Sequence, residues 1–153
     1  MFVRIEAMPN EAIDIRIASD ERRKAACMAL RRQVFIEEQG VSEQDEIDGL
    51  DDRCIHVLAT SNEAPAGAAR FRVVGNDVKI QRVCVSKNFR GLGIGAALID
   101  YVVNHARTEG MASHAMLGAQ THALDFYRKL GFEAYGDEYL DAGISHRNMQ
   151  LKL

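Results

Sequence analysis

The chain predicts an α/β (α+β) fold, a mixed central sheet flanked by helices, and three patterns carry that expectation. Short alternating apolar segments at 14–18, 54–59, 67–74 and 78–85 read as strands, the last three joined by turns at 62–65 and 75–77 into an antiparallel meander. Residues 20–39 carry Ala25, Met28, Ala29, Arg32 and Phe35-Ile36 at spacings of three and four, mostly apolar, and read as an amphipathic helix. Residues 83–98 read as a strand, a glycine-punctuated turn and the start of a second helix. The whole order is β-α-βββ-α-β-α-ββ.

Taken in turn, residues 1–12 contain Pro9 and Asn10, sustain no period, and form an N-terminal arm or a short extra strand. After the strand at 14–18, Ser19 is expected to cap the first helix, with Asp20 and Glu21 in its first turn and Gly40 near its end. Residues 41–52 read as a loop or short helix. The helix at 94–109 ends at Gly110, a residue suited to the left-handed C-terminal position. A strand at 111–117, a helix at 121–130 closed by Gly131, a strand at 132–135 and a last strand at 146–153 complete the chain.

At 153 residues this is one domain by size, taken as 13–153 after the arm. Apolar residues make up 47% and charged residues 27%, as in ordinary globular proteins. A net charge of −3 and a pI near 5.9 argue against nucleic-acid binding, and the cluster Arg22-Arg23-Lys24 with Arg31-Arg32 reads as solvated helix surface. No apolar run is long enough to span a bilayer and no signal-peptide core follows Met1, so a cytoplasmic protein without membrane attachment is expected. Cys27, Cys54 and Cys84 are odd in number and lack C-x-x-C spacing, so buried packing is expected and a metal site is not.

The turn at 90–95 carries the chemistry. Glycines at 91, 93 and 95 admit backbone conformations closed to other residues, and the helix they open has no Ser, Thr, Asp or Asn to cap its first amides. Unpaired N–H groups at the positive end of a helix dipole suit a phosphate or pyrophosphate, and Arg90 adds a cation. Tight helix packing is the plainer use of the same glycines. A nucleotide P-loop is excluded because no Gly-Lys-Ser/Thr occurs, and the spacing departs from the dinucleotide fingerprint.

Arg90-Gly91-Leu92-Gly93-Ile94-Gly95 after Val83-Cys84-Val85 resembles the R/Q-x-x-G-x-G/A motif of the GNAT superfamily of acyl-CoA-dependent N-acetyltransferases. A second block beginning at Gln120, with Ala123, Tyr127, Lys129, Gly131 and Phe132, looks like that family's N-x-x-A-x-x-x-Y-x-K-x-G-F, with Gln120 in place of Asn. The resemblance covers residues 13–153. It implies that strands at 81–85 and 112–117 splay apart around the pantetheine arm of acetyl-CoA, with backbone groups of Val83 and Val85 pairing with it. It also implies cofactor contacts from Cys84, from Arg90, Gly91, Leu92, Gly93, Ile94 and Gly95 at the pyrophosphate, and from Gln120 and Phe126.

Acyl transfer from a thioester to an amine needs a neutral amine, a polarised carbonyl and a proton for the departing thiolate. Tyr127 matches the family tyrosine by position, and a phenol of ordinary pKa near 10 is protonated at neutral pH. Core packing of the Phe126-Tyr127 pair is the alternative. The strand carboxylate that many family members use as base is missing, since Gln81 and Arg82 stand there; Glu37, Glu38, His56 and His146 are the alternatives. Gln120 either contacts pantetheine or caps a helix. Gly118 either admits a ligand or ends a strand.

Eight acidic residues lie between Glu37 and Asp52, a concentration that is either simply solvated or draws a cationic amine acceptor toward Glu37, Glu38 and His56. The stretch from Val34 to Val41, with Glu46-Ile47-Asp48 and Asp51 to His56, resembles the YjcF/ElaA-like branch of the superfamily without naming an acceptor. The expectation is acetyl transfer directly to a primary amine of a small molecule or peptide. A covalent acyl carrier at Cys84, a non-catalytic acyl-CoA sensor of the same fold and a nucleotide-binding domain are the competitors. A homodimer is compatible with the fold implied.

Overall fold

The computed structural model describes residues 13–153; the expected arm at 1–12 lies outside them. Seven strands are hydrogen-bonded in the order β1-β2-β3-β4-β5-β7-β6, with β1 at Ile13–Ile17, β2 at Ile55–Ser61, β3 at Ala64–Val74, β4 at Asp77–Val85, β5 at His114–Gln120, β6 at Glu133–Asp141 and β7 at Ile144–Lys152. The sheet is mixed: β1 and β2 are antiparallel, β4 and β5 parallel, and β7 antiparallel to both β5 and β6. The chain divides into two compact units, one of residues 13–70 and 82–101, the other of 71–81 and 102–153.

In the first unit, α1 (Glu21–Arg31) packs on β2. Its cap is Asp20 rather than Ser19: Asp20 is extended and its carboxylate accepts the Arg23 amide at 2.7 Å, so the helix starts one residue later than expected. The single helix expected to reach Gly40 widens into a π-helical segment at Arg32–Glu38, with the Gln39 amide reaching back to the Val34 carbonyl. A four-residue helix, α2 (Glu43–Glu46), and a short turn at Asp51–Arg53 follow. Cys27, Leu30 and Val34 form a core with Ala18, Leu58, Ala68 and Cys84. Ile94 and Leu98 of α3 (Ile94–Thr108) pack on β3 so closely that a Cβ on Gly67 would come within 3.1 Å of both. Burying such a side chain contributes roughly 1.5–3 kcal/mol.

In the second unit β5 is paired with β7 over seven positions, whereas its ladder with β4 runs only from Asp77↔His114 to Lys79↔Met116. The strand starts three residues later than expected. The Met111 amide closes α3 onto the Ala106 carbonyl and the Ser113 amide is used by the Asn76 carbonyl, so 111–113 are spent in leaving the helix. The helix expected at 121–130 is a short turn, Thr121–Ala123, followed by α4 (Leu124–Lys129), and Gly131 with φ of 98° closes it. Strand β6 runs past Gly136 to Asp141 instead of stopping at 135, because Gly136 takes φ of 74° within a bulge and the Arg147 guanidinium donates to its carbonyl.

Candidate active site

Two of the three glycines do what their spacing predicts. Gly91 and Gly93 take φ of 81° and 82° with open space where a Cβ would stand, so the requirement is conformational and leaves room for a ligand. Gly95 differs: it lies inside the first turn of α3. The first helical bond runs from the Ala97 amide to the Gly93 carbonyl at 3.0 Å. The amides of Ile94, Gly95 and Ala96 precede that bond and have no partner within the helix. Ile94 buries its side chain, so only its backbone is available to a cofactor.

Arg90 is engaged twice, donating from Nε to the Val85 carbonyl at 3.0 Å and from Nη2 to Glu38 at 2.8 Å. Val83 and Val85 are half-buried on β4 and Leu92 is half-buried in the turn. Cys84 is buried, and burial pushes its thiol up to about 12, which removes the thiolate a covalent acyl carrier needs. Cys27 is likewise buried, while Cys54 is only half-buried, against the expectation for all three.

The acidic segment is not the unpaired negative patch its composition suggests. Arg31, expected on the surface, is 1% exposed and bonds Glu46 at 2.8 Å and Asp51 at 2.6 Å. Arg70 on β3 bonds Asp51 at 2.7 Å and Asp48 at 2.6 Å. Arg82 on β4 forms an ion pair with Glu46, its Nε 2.8 Å from Oε2 without hydrogen-bond alignment, and bonds Asp48 at 3.4 Å. The six side chains form a closed ring of alternating charge. Glu43 pairs with Arg32 and Glu38 with Arg90, so five of the eight acids have arginine partners. Hydrogen bonds from Arg70 hold the Asp48 carboxyl well below the usual range. Burial works against ionisation of Asp51, yet the bonds from Arg31 and Arg70 keep it lowered too. Glu37 is exposed; His56 is 3% exposed with Nε2 at 2.9 Å from the Asp51 carbonyl, which sets it inside the fold beside the ring.

In the second unit Tyr127 stands edge-on to Phe126 and Phe132, with ring centroids at 4.9 and 6.1 Å. Burial alone pushes its phenol up to about 12. Phe126 is 38% exposed. Gln120 makes no side-chain cap; its Oε1 lies 2.6 Å from His122 Nε2. Gly118 neither ends the strand nor faces empty space, because a Cβ there would overlap the Tyr139 hydroxyl, which donates to Asn148 at 2.9 Å. Tyr139 also stacks on His146 at 5.8 Å. His146 Nδ1 lies 2.6 Å from the Ile144 carbonyl, so the neutral ring keeps its proton on Nδ1 and presents Nε2 as the acceptor.

Among the described residues no group of three His, Cys, Asp or Glu is arranged to hold a metal, and no helix is long and apolar enough to cross a membrane. Sequence reasoning missed the charged ring and Tyr139. Arg70 and Arg82, cations inside otherwise apolar strands opposite an acid-rich loop, were the available signal for the ring.

Residues 17–153 match the family model described as an acetyltransferase (GNAT) domain. The chain is 37% identical over 134 residues to the uncharacterized N-acetyltransferase YjcF of Bacillus subtilis, spanning 87% of this chain and 95% of that protein. Its fold matches that of an acyl-CoA N-acyltransferase from Pseudomonas aeruginosa with a TM-score of 0.81 at 27% identity, over 91% of this chain and 99% of the other. Escherichia coli ElaA matches with a TM-score of 0.80 at 28% identity, over 90% and 98%.

Proposed function

From the premise that the chain belongs to the GNAT acetyltransferase family and is an acyltransferase, we propose that it transfers the acetyl group of acetyl-CoA directly to a primary amine of a small molecule or peptide. The observation that carries this reading is the turn of Gly91 and Gly93 with the first-turn amides of α3, which have no partner within the helix and form an anion cradle there. The pyrophosphate of CoA takes those amides and Arg90 supplies a cation by exchanging Glu38 for phosphate. The backbone of Val83 to Val85 serves the pantetheine arm, with Gln120 and Phe126 as further contacts.

Tyr127 is the acid and His146 the base. Glu38 is paired with Arg90, and both histidines carry a ring nitrogen that no described residue bonds; that of His56 is sealed from solvent, whereas His146 keeps 9% of its surface exposed. His146 Nε2 takes one proton from the ammonium, and the free amine attacks the thioester carbonyl. The C–N bond forms, the C–S bond breaks, and the thiolate takes the Tyr127 proton. The proton left on nitrogen restores the phenol. The acceptor needs no net positive charge, since most of the acidic segment is already neutralised.

A panel of primary amines with acetyl-CoA tests the reading. Thiol release with an acetylated amine detected by mass supports it. Acetyl-CoA binding without turnover on any amine would favour a sensor of the same fold instead.

A further inference from the structure

Arg82 sits inside strand β4 yet has φ of 56°, a left-handed conformation that costs a residue bearing a Cβ and that strands do not otherwise use. The same residue's side chain is tied down on several sides. Its Nε faces Glu46 Oε2 at 2.8 Å, and its Nη2 reaches the Glu46 carbonyl at 3.1 Å, the Asp45 carbonyl at 3.4 Å and Asp48 at 3.4 Å. Glu46 is 4% exposed and its other oxygen, Oε1, is held by Arg31 at 2.8 Å. The clamp therefore anchors a β4 residue to α1 through one shared buried carboxylate, and to β3 through Asp48 and Arg70.

We infer that the charged ring is a clamp on β4, and that Arg82 is a positioning residue whose anchored side chain holds the left-handed kink and thereby sets the backbone edge of Val83 to Val85. A left-handed residue redirects the next peptide plane, so the Val83 N–H and carbonyl point where the kink sends them. This rests on the proposed acetyl-CoA reading, in which that edge pairs with pantetheine. The acid-rich loop then acts on the cofactor from behind the strand instead of recognising the acceptor.

Glycine takes the left-handed conformation without strain, which separates the kink from the ion pairs. Arg82→Ala, Arg82→Gly and the wild type are compared in acetyl-CoA affinity by calorimetry, in melting temperature, and in amide exchange of Val83 to Val85 without cofactor. Arg82→Ala should weaken acetyl-CoA binding about tenfold and speed exchange by a similar factor, the scale of one released backbone strain. Arg82→Gly should lose as much melting temperature yet keep affinity and exchange within about threefold of wild type, since its backbone is free to keep the kink. Equal losses of affinity in both variants, or an alanine variant that melts early but binds and exchanges like wild type, would overturn the clamp. If the alanine variant does not fold, Arg82→Lys takes its place, and wild-type affinity and exchange in it would overturn the clamp equally. A wild type that binds no CoA would sink the acetyl-CoA reading, and the exchange rates would still decide the clamp.

Discussion

Arg90 Nη2 stands 2.8 Å from Glu38 Oε1, so the cation beside the glycine turn is held by a carboxylate from the helical segment after α1. The pair is partly exposed, at 45% and 30%, and such pairs contribute little stability. Glu38 therefore competes with a phosphate for Arg90 at small cost. Arg90→Ala should weaken CoA binding about tenfold, the scale of a charge-assisted hydrogen bond. Glu38→Gln should leave it unchanged or tighten it by up to about fivefold, the limit for an exposed pair. Calorimetry on both variants checks the opposite signs.

Tyr127 tests the chemistry. Burial holds its phenol up to about 12, so it is a proton donor throughout the neutral range. Tyr127→Phe should lower kcat by about 10² to 10⁴ while leaving acetyl-CoA affinity near wild type. Equal falls in affinity and rate would return the residue to the core role its contacts with Phe126 and Phe132 also fit.

Stability should depend on acid through the ring. The Asp48 carboxyl is held below its ordinary value by hydrogen bonds from Arg70, so its contribution is full above the unfolded pKa, about 4, and is lost as pH falls through the folded value. Asp48→Asn should lower the melting temperature at pH 7, and the gap to wild type should close as pH is taken from about 5 toward 2. A gap that is constant over that range would mean the carboxylate charge contributes nothing there.

Gly118 and Tyr139 should be coupled. Gly118→Ala pushes the Tyr139 hydroxyl off Asn148, costing about 1 kcal/mol for the lost bond, whereas in a Tyr139→Leu background the same change should be nearly neutral. Denaturant melts of the four proteins give the coupling; additive effects would show that Tyr139 moves aside freely.

Much of this was legible in the chain because local rules agreed with the global fold. The meander announced itself by alternation and turns, α3 by its glycine turn and Gly110, and the family by two spaced motifs. What escaped depended on tertiary pairing. Arg31 reads as solvated beside Arg32 until Glu46 and Asp51 are known to face it, and nothing local marks Arg82 as left-handed. The strand read at 132–135 continues past Gly136 because the bulge there is held by Arg147 from the next strand, which nothing local announces. Gly118 read as room for a ligand or as a strand end because Tyr139, which fills the space, comes from 21 residues further on.

Thermal unfolding with acetyl-CoA, CoA and ATP, each supplied well above its dissociation constant, separates an acyl-CoA site from a purely structural glycine turn. Binding at about 100 times that constant should add about 2.7 kcal/mol to the folded state. For a chain of this size the midpoint then rises by roughly 5 to 10 °C. Acetyl-CoA and CoA should each give that rise and ATP none. No shift with either CoA species, or an equal shift with ATP, would contradict an acyl-CoA site.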